Sequence, residues 1–327
     1  MIADKMKNMV ANSSAIRAMF EEGNRLAGIY GAENVFDFSL GNPNVPAPEA
    51  VKNAIIEIVS EEDPIVLHGY TNSNCGYADV REAVADSLNK RFDTHFEGKN
   101  IVMTVGAAGG LNVILKALIN PGDEVIAFAP YFGEYRSYTN NYDGVLVEIS
   151  PNTVDFQPKL DEFEQKITPK TKAVIVNTPN NPTGAVYTEE SIRMVTDILK
   201  KKQEEYGHPI YLVSDEPYRK LAYDIEVPYL THYYENTIVV YSYSKALSIP
   251  GERIGYIAME SCVQDYEDLI AGMTASMRYL GYVNAPSLQQ KMLLKCVDAS
   301  VDISIYQETR DILYHALTEI GLSLIHI

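Results

Sequence analysis

Ser242-Tyr243-Ser244-Lys245-Ala246-Leu247-Ser248-Ile249-Pro250-Gly251-Glu252-Arg253-Ile254-Gly255-Tyr256 is the stretch on which the reading of this chain turns. It joins two apolar runs, Thr237–Tyr241 and Ile254–Met259, each short enough to be a strand. A lysine just beyond the carboxyl end of a strand stands where open α/β sheets place groups that contact ligands. Its amine forms a Schiff base with an aldehyde once burial or neighbouring cations lower its pKa. Arg253 follows eight residues later and presents a planar fork that matches a phosphate. Taken singly, each residue has a plainer reading, a surface lysine and a salt-bridged arginine.

Working outward, five further runs read as strands: Ile101–Thr104, Glu124–Phe128, Val145–Ile149, Ala173–Asn177 and Ile210–Asp215. Most are continuously apolar, as strands covered on both faces are. Helical stretches lie between them. Leu111–Ile119 is closed by Asn120-Pro121-Gly122-Asp123. Glu189–Tyr206 has Thr188 as N-cap, acids in its first turn, lysines later and Gly207 as a stop. The alternation predicts an α/β fold, with a mostly parallel seven-stranded sheet sandwiched by helices. It also predicts three segments: 1–45, the N-terminal part of a small domain; 46–285, a large domain; and 286–327, the start of an incomplete C-terminal part of the small one.

The chain has 327 residues, 46% of them apolar, which is ample for a large core. Its 44 acids against 27 bases give a net charge of −17, which repels nucleic acid and anionic membranes. Cys75, Cys262 and Cys296 are odd in number and far apart, which fits a reducing, cytoplasmic setting without a disulfide framework or a metal set. Met1–Lys7 leads into no apolar run of the secretory kind, and no run approaches the length of a membrane span.

Three more segments carry chemistry. Asn177-Thr178-Pro179-Asn180-Asn181-Pro182-Thr183-Gly184 reads as a turn after a strand. Ser214-Asp215-Glu216-Pro217-Tyr218 ends another strand, and a buried acid there is costly without a partner. Thr104-Val105-Gly106-Ala107-Ala108-Gly109-Gly110-Leu111 reads as a small-residue loop before a helix, with backbone N–H groups suited to a phosphate. Its spacing is not that of a dinucleotide fingerprint.

Ser-x-Ser-Lys followed by Pro-Gly-x-Arg-x-Gly resembles the signature of class I/II aminotransferases, the fold-type-I pyridoxal-phosphate enzymes. The other three segments occur in that family's order, and the resemblance covers roughly residues 35–290. It implies that Lys245 carries pyridoxal 5'-phosphate as a Schiff base and moves the proton between Cα and C4′. Arg253, Ser242, Ser244 and the N–H groups of Ala107 and Ala108 would hold the phosphate. Relatives often have a polar side chain where this sequence has those alanines. Asn181 and Tyr218 would reach the cofactor's phenolic oxygen. Asp215 would keep the ring nitrogen protonated, so that the ring accepts electrons. Phe132, in Ala129-Pro130-Tyr131-Phe132, would stack on the ring, or else belong to the core.

Tyr70 resembles a tyrosine that reaches the neighbouring subunit's phosphate, although the loop to Gly76 is a residue longer than is usual. Gly41 resembles the loop that closes on the substrate carboxylate. Arg278, six residues before Asn284-Ala285-Pro286, resembles the arginine by which aspartate aminotransferases take a second carboxylate from the other subunit. The implied activity is transamination between an L-amino acid, with aspartate favoured, and a 2-oxo acid, in a homodimer. The family's small-domain arginine and its Gly-Ala-Phe-Tyr segment are not found, so the C-terminal domain is expected to be truncated. The same signatures occur in C–S lyases and other β-eliminating enzymes of this fold. A fragment that binds the cofactor without efficient turnover also fits, and an effector-sensing regulator fits poorly with the acidic charge.

Overall fold

The apolar runs do become strands, and burial explains why they lack alternation. The computed structural model describes residues 2–11, 15–36, 38, 41–322 and 324. Among these, seven strands form one sheet: β1 (Ile101–Thr104), β2 (Glu124–Phe128), β3 (Val145–Ile149), β4 (Thr171–Asn177), β5 (Tyr211–Asp215), β6 (Thr237–Ser242) and β7 (Gly255–Met259). Their order across the sheet is β1-β7-β6-β5-β4-β2-β3. All neighbours are parallel except β7, which runs antiparallel to both β1 and β6.

Helices cover both faces. On one face Leu111, Ile114 and Leu115 of the helix Gly106–Leu118 meet Val102, Val125, Val213, Val240 and Ile257. Met273 and Met277 of the helix Tyr266–Tyr279 close that side. The alternate strand residues point the other way. Ile101, Met103, Val239 and Ala258 pack with Val80, Val84 and Leu88 of the helix Ala78–Phe92. Ile126, Val174 and Leu212 pack with Ile192, Val195 and Leu199 of the helix Glu189–Tyr206. Each such fully buried aliphatic side chain contributes about 1.5–3 kcal/mol. The edge strand β3 is the exception, with Val145 half exposed.

Thr188 caps the helix Glu189–Tyr206 by accepting from Ser191 N, and Gly207 ends it in the left-handed region. One expectation is corrected. The segment after β1 is not a loop leading to a helix at Leu111, because the helix already starts at Gly106. Gly106, at φ 75°, turns the chain directly out of the strand, and the small residues that follow lie buried against the sheet. The lost helix propensity of Gly109 and Gly110 is small beside that burial.

The chain divides into two units, Met1–Asn44 and Val45–Ile327. The first holds the helices Asp4–Ala11 and Ala15–Tyr30 and the short 3-10 turn Ala32–Asn34. The second holds the sheet, its covering helices and the helices Ser287–Cys296 and Ser304–Glu319. No helix among the described residues is long and apolar enough to cross a membrane.

Candidate active site

The sheet register sets the chemistry-bearing residues in a row. Thr104 and Ser242 are the carboxyl ends of β1 and β6, and both pair with Gly255, the start of β7. Asp215 and Asn177 end β5 and β4 and pair with each other. The carboxyl edge therefore reads Thr104, Gly255, Ser242, Asp215, Asn177 across the sheet, the part of an α/β fold where ligands bind.

Asp215 ends β5, the central strand of the sheet. Its Oδ2 accepts a 2.5 Å hydrogen bond from Tyr135 Oη, while Oδ1 is buried with no hydrogen-bond partner. Burial pushes its pKa up to about 7; the Tyr135 hydrogen bond opposes that rise and the Glu216 carboxylate adds to it. A buried acceptor left without a donor is costly, so Oδ1 fits a cationic N–H from a bound group.

The neighbouring turn is built by its own side chains. Asn177 donates from Nδ2 to the Asp215 carbonyl at 2.8 Å, and its Oδ1 accepts from Asn181 N at 2.6 Å. Asn180 Oδ1 accepts from the backbone and hydroxyl of Thr183. This fixes Asn181, whose Nδ2 donates to Tyr218 Oη at 3.2 Å. Burial, with Asp215 adding to it, holds the Tyr218 phenol above its ordinary pKa, and Asn181 pulls it back. The pair thus offers an amide donor and a phenol donor side by side.

Lys245 sits on the one-turn helix Tyr243–Ala246 immediately after β6. It is half-buried, and that burial lowers its ammonium pKa. Ser242 caps this helix by accepting from Ser244 N, and the two serine oxygens lie 2.6 Å apart. Arg253, at φ 51°, donates from Nη1 to the Pro250 carbonyl. Its guanidinium reaches over the start of the helix Gly106–Leu118, where a Cβ on Gly106 would come within 3.0 Å of Nη2. That helix has no side-chain cap at Val105, so the cradle is an uncapped helix end facing a guanidinium. Gly255 is needed for the same closeness, since a Cβ there would lie 2.2 Å from the Tyr241 carbonyl oxygen. The partly buried Tyr138 phenol feels charges from both Asp215 and Arg253. Burial, Glu134 and Asp215 push it up to about 12, with Arg253 pulling the other way.

The remaining sequence-predicted residues are less gathered. Ala107 is buried in the first turn of that helix and Ala108 is partly buried beside it. Phe132 is partly buried and meets Tyr135 edge-on at 5.7 Å. Tyr70 is almost wholly exposed, and Arg278 is exposed in the last turn of the helix Tyr266–Tyr279. Gly41 is exposed in the first unit. A cavity of about 510 Å³ opens beside Tyr218, lined by Asn180, Thr183, Tyr223 and Arg310, and Lys245 does not line it.

Two features escape sequence reasoning. Tyr135 is one of 23 tyrosines and lies 80 residues from the acid it bonds; only its place three residues after Phe132 hints at it. Glu216 and Arg219 form a buried ion pair directly behind Asp215.

An acid, a phenol, an amide and a burial-depressed amine along one strand edge, beside a phosphate-sized cradle, define an enzyme of amine chemistry. Residues 33–326 match the family Aminotransferase class I and II, and the chain belongs to that family and is an aminotransferase. Among solved structures it is similar to an amino transferase from Eubacterium rectale, at 47% identity and a TM-score of 0.95, covering 99% of this chain and 82% of that one. It is also similar to the aspartate aminotransferase of Thermus thermophilus with maleate, at 27% identity and a TM-score of 0.84, covering 99% and 81%. A Bacillus subtilis protein named as an aminotransferase, YugH, is 31% identical over 90% of this chain and 74% of its own length.

Proposed function

We propose that this aminotransferase transfers the amino group of an L-amino acid, with aspartate the favoured donor, to a 2-oxo acid, using pyridoxal phosphate held at Lys245. One observation carries the reading: the buried Asp215 Oδ1 that no protein group satisfies, at the centre of an edge that also presents Lys245, Asn181, Tyr218 and Arg253. When bound, the cofactor supplies an aldehyde for amines and a ring that accepts the electrons released at the substrate's Cα.

The residues divide the remaining work. Asp215 Oδ1 accepts the ring N–H and keeps that nitrogen cationic. Asn181 Nδ2 and Tyr218 Oη donate to the phenolic oxygen. Arg253, the hydroxyls of Ser242 and Ser244, and the first-turn N–H groups of Ala107 and Ala108 bind the phosphate. Phe132 would lie against the ring. Lys245 Nζ, made less basic by burial, is the group that takes the proton from the substrate's Cα. We assign Asn181 to the substrate carboxylate. Tyr70 and Arg278 are assigned to the site of a second copy in a homodimer, which their exposure permits. The aspartate preference is supported by the likeness to an aspartate aminotransferase crystallised with maleate, a four-carbon dicarboxylate.

The test is a donor scan. Protein loaded with pyridoxal phosphate is mixed with 2-oxoglutarate and aspartate, alanine or phenylalanine, and each product oxo acid is measured. Aspartate is expected to be fastest, and Lys245→Ala to lose both turnover and the visible absorbance of the bound cofactor. Normal turnover by Lys245→Ala refutes the lysine's role. Aspartate no faster than the others, with Arg278→Ala neutral, removes the substrate preference alone. Pyruvate and ammonia released from cystine, which carries a leaving group on Cβ, with no 2-oxoglutarate added would mark a β-eliminating enzyme instead.

A further inference from the structure

Interleaved with the acid Asp215 and the phenol Tyr218 is a buried charge pair, Glu216 after the first and Arg219 after the second. Glu216 and Arg219 are both nearly inaccessible to solvent. Arg219 Nε donates to Glu216 Oε2 at 2.6 Å and Nη2 to Oε1 at 2.9 Å, a two-pronged contact. Ser214 Oγ donates to the same Oε1 at 2.7 Å. The guanidinium then ties the pair to a distant segment, Nη1 donating to the Val227 carbonyl and Nη2 to that of Pro228. It also lies over the rings of Phe92 and Tyr229, at 5.1 and 5.2 Å. The Glu216 backbone is held as well, donating to the Val240 carbonyl at 2.9 Å.

Desolvating two charges costs about as much as their attraction returns, so net stability alone does not account for such a pair. Its placement does. Three residues apart, the partners close a ring around Pro217 and Tyr218, which fixes the turn that aims the phenol at Asn181. The neighbour before Glu216 is Asp215 itself.

We infer that the Glu216–Arg219 pair is a positioning clamp: it holds the 215–218 turn so that Asp215 and Tyr218 face one ligand together, and it neutralises the carboxylate next to Asp215. The inference rests on the roles given above to those two residues. The clamp touches neither substrate nor cofactor and acts only through them.

The test places 3-fluorotyrosine at position 218 and follows its ¹⁹F shift against pH in cofactor-free protein. The same titration is run in Glu216→Gln/Arg219→Met and in Arg219→Lys, which keeps the charge and loses the fork. Thermal melts establish which variants fold. Release of the turn lets solvent reach the phenol, so its ionisation midpoint falls towards that of free 3-fluorotyrosine. Affinity for pyridoxal phosphate, measured by equilibrium dialysis, falls in parallel. A pair that merely stabilises the fold lowers the melting temperature and leaves the midpoint in place. An unchanged midpoint in whichever variant folds overturns the clamp. If the parent protein binds no pyridoxal phosphate, the cofactor assignment fails, while the phenol titration still judges the clamp.

Discussion

Replacing Tyr135 by phenylalanine asks how the site keeps Asp215 charged. The acid is buried and has one side-chain donor, Tyr135 Oη at 2.5 Å. Burial holds its midpoint up at about 7, against an ordinary 3.8, despite that donor. A hydrogen bond to an ionised group contributes about 1.5–3 kcal/mol, and one pKa unit corresponds to about 1.4 kcal/mol. Losing the hydroxyl therefore raises the carboxyl by about one to two units, to about 8–9. Phenylalanine keeps the ring, and with it the edge-on contact to Phe132.

The sign follows from linkage. The native pKa lies above the unfolded one, so the native state binds this proton more tightly. The stability it contributes is complete below about pH 4 and is lost as pH rises through the native midpoint. In the parent protein the loss from this group amounts to about 4 kcal/mol and levels off above about pH 7. In Tyr135→Phe it continues to about pH 8–9 and grows by about 1.5–3 kcal/mol. Two measurements read this in cofactor-free protein: denaturant unfolding across that pH range, and a ¹³C titration of labelled aspartate carboxyls, with Asp215→Asn identifying the resonance. Asp215→Asn is expected to remove the slope altogether. A Tyr135→Phe carboxyl that titrates at or below the parent midpoint refutes the argument.

Gly106→Ala puts a methyl group at a φ of 75° and within 3.0 Å of the Arg253 guanidinium. It is expected to lower stability by about 1–2 kcal/mol and to weaken pyridoxal phosphate binding, read by melting and by equilibrium dialysis; unchanged affinity would argue against the cradle. Thr188→Ala removes the hydroxyl that caps the helix Glu189–Tyr206 and is expected to cost about 1 kcal/mol in denaturant unfolding. That helix covers the sheet away from the site's residues, so transamination rates at saturating substrate should stay at the parent level.

The sheet was legible because strands buried on both faces must be apolar throughout. β1, β2 and β3 fall where the apolar runs place them, and β4 begins earlier only because Thr171, polar in sequence, is buried at the end of the strand. The helix start at Gly106 was not legible, since glycine and alanine runs suggest a loop until the sheet beneath supplies the burial. The site divides along the same line. Lys245, Asn181, Asp215 and Tyr218 stand within short motifs that end strands, so local sequence exposes them. Tyr135 acts through a contact across the fold with Asp215, and Arg219 through a loop that folds back to bring it the Val227 and Pro228 carbonyls, and no motif announces either. The roles proposed for Tyr70 and Arg278 call for a second copy of the chain, whose surface no motif describes.

The one strand that runs against the others has a consequence for biosynthesis. β1 has a single partner in the sheet, β7, which the ribosome makes about 150 residues later. Until then the apolar run Ile101–Thr104 is an unpaired edge, and the helix Gly106–Leu118 lacks Ile257 beneath it. Arg253 is made just before that strand and Gly255 begins it, so their close approach to Gly106 is completed as the sheet closes. A nascent chain halted before β7 would leave this surface open to chaperones.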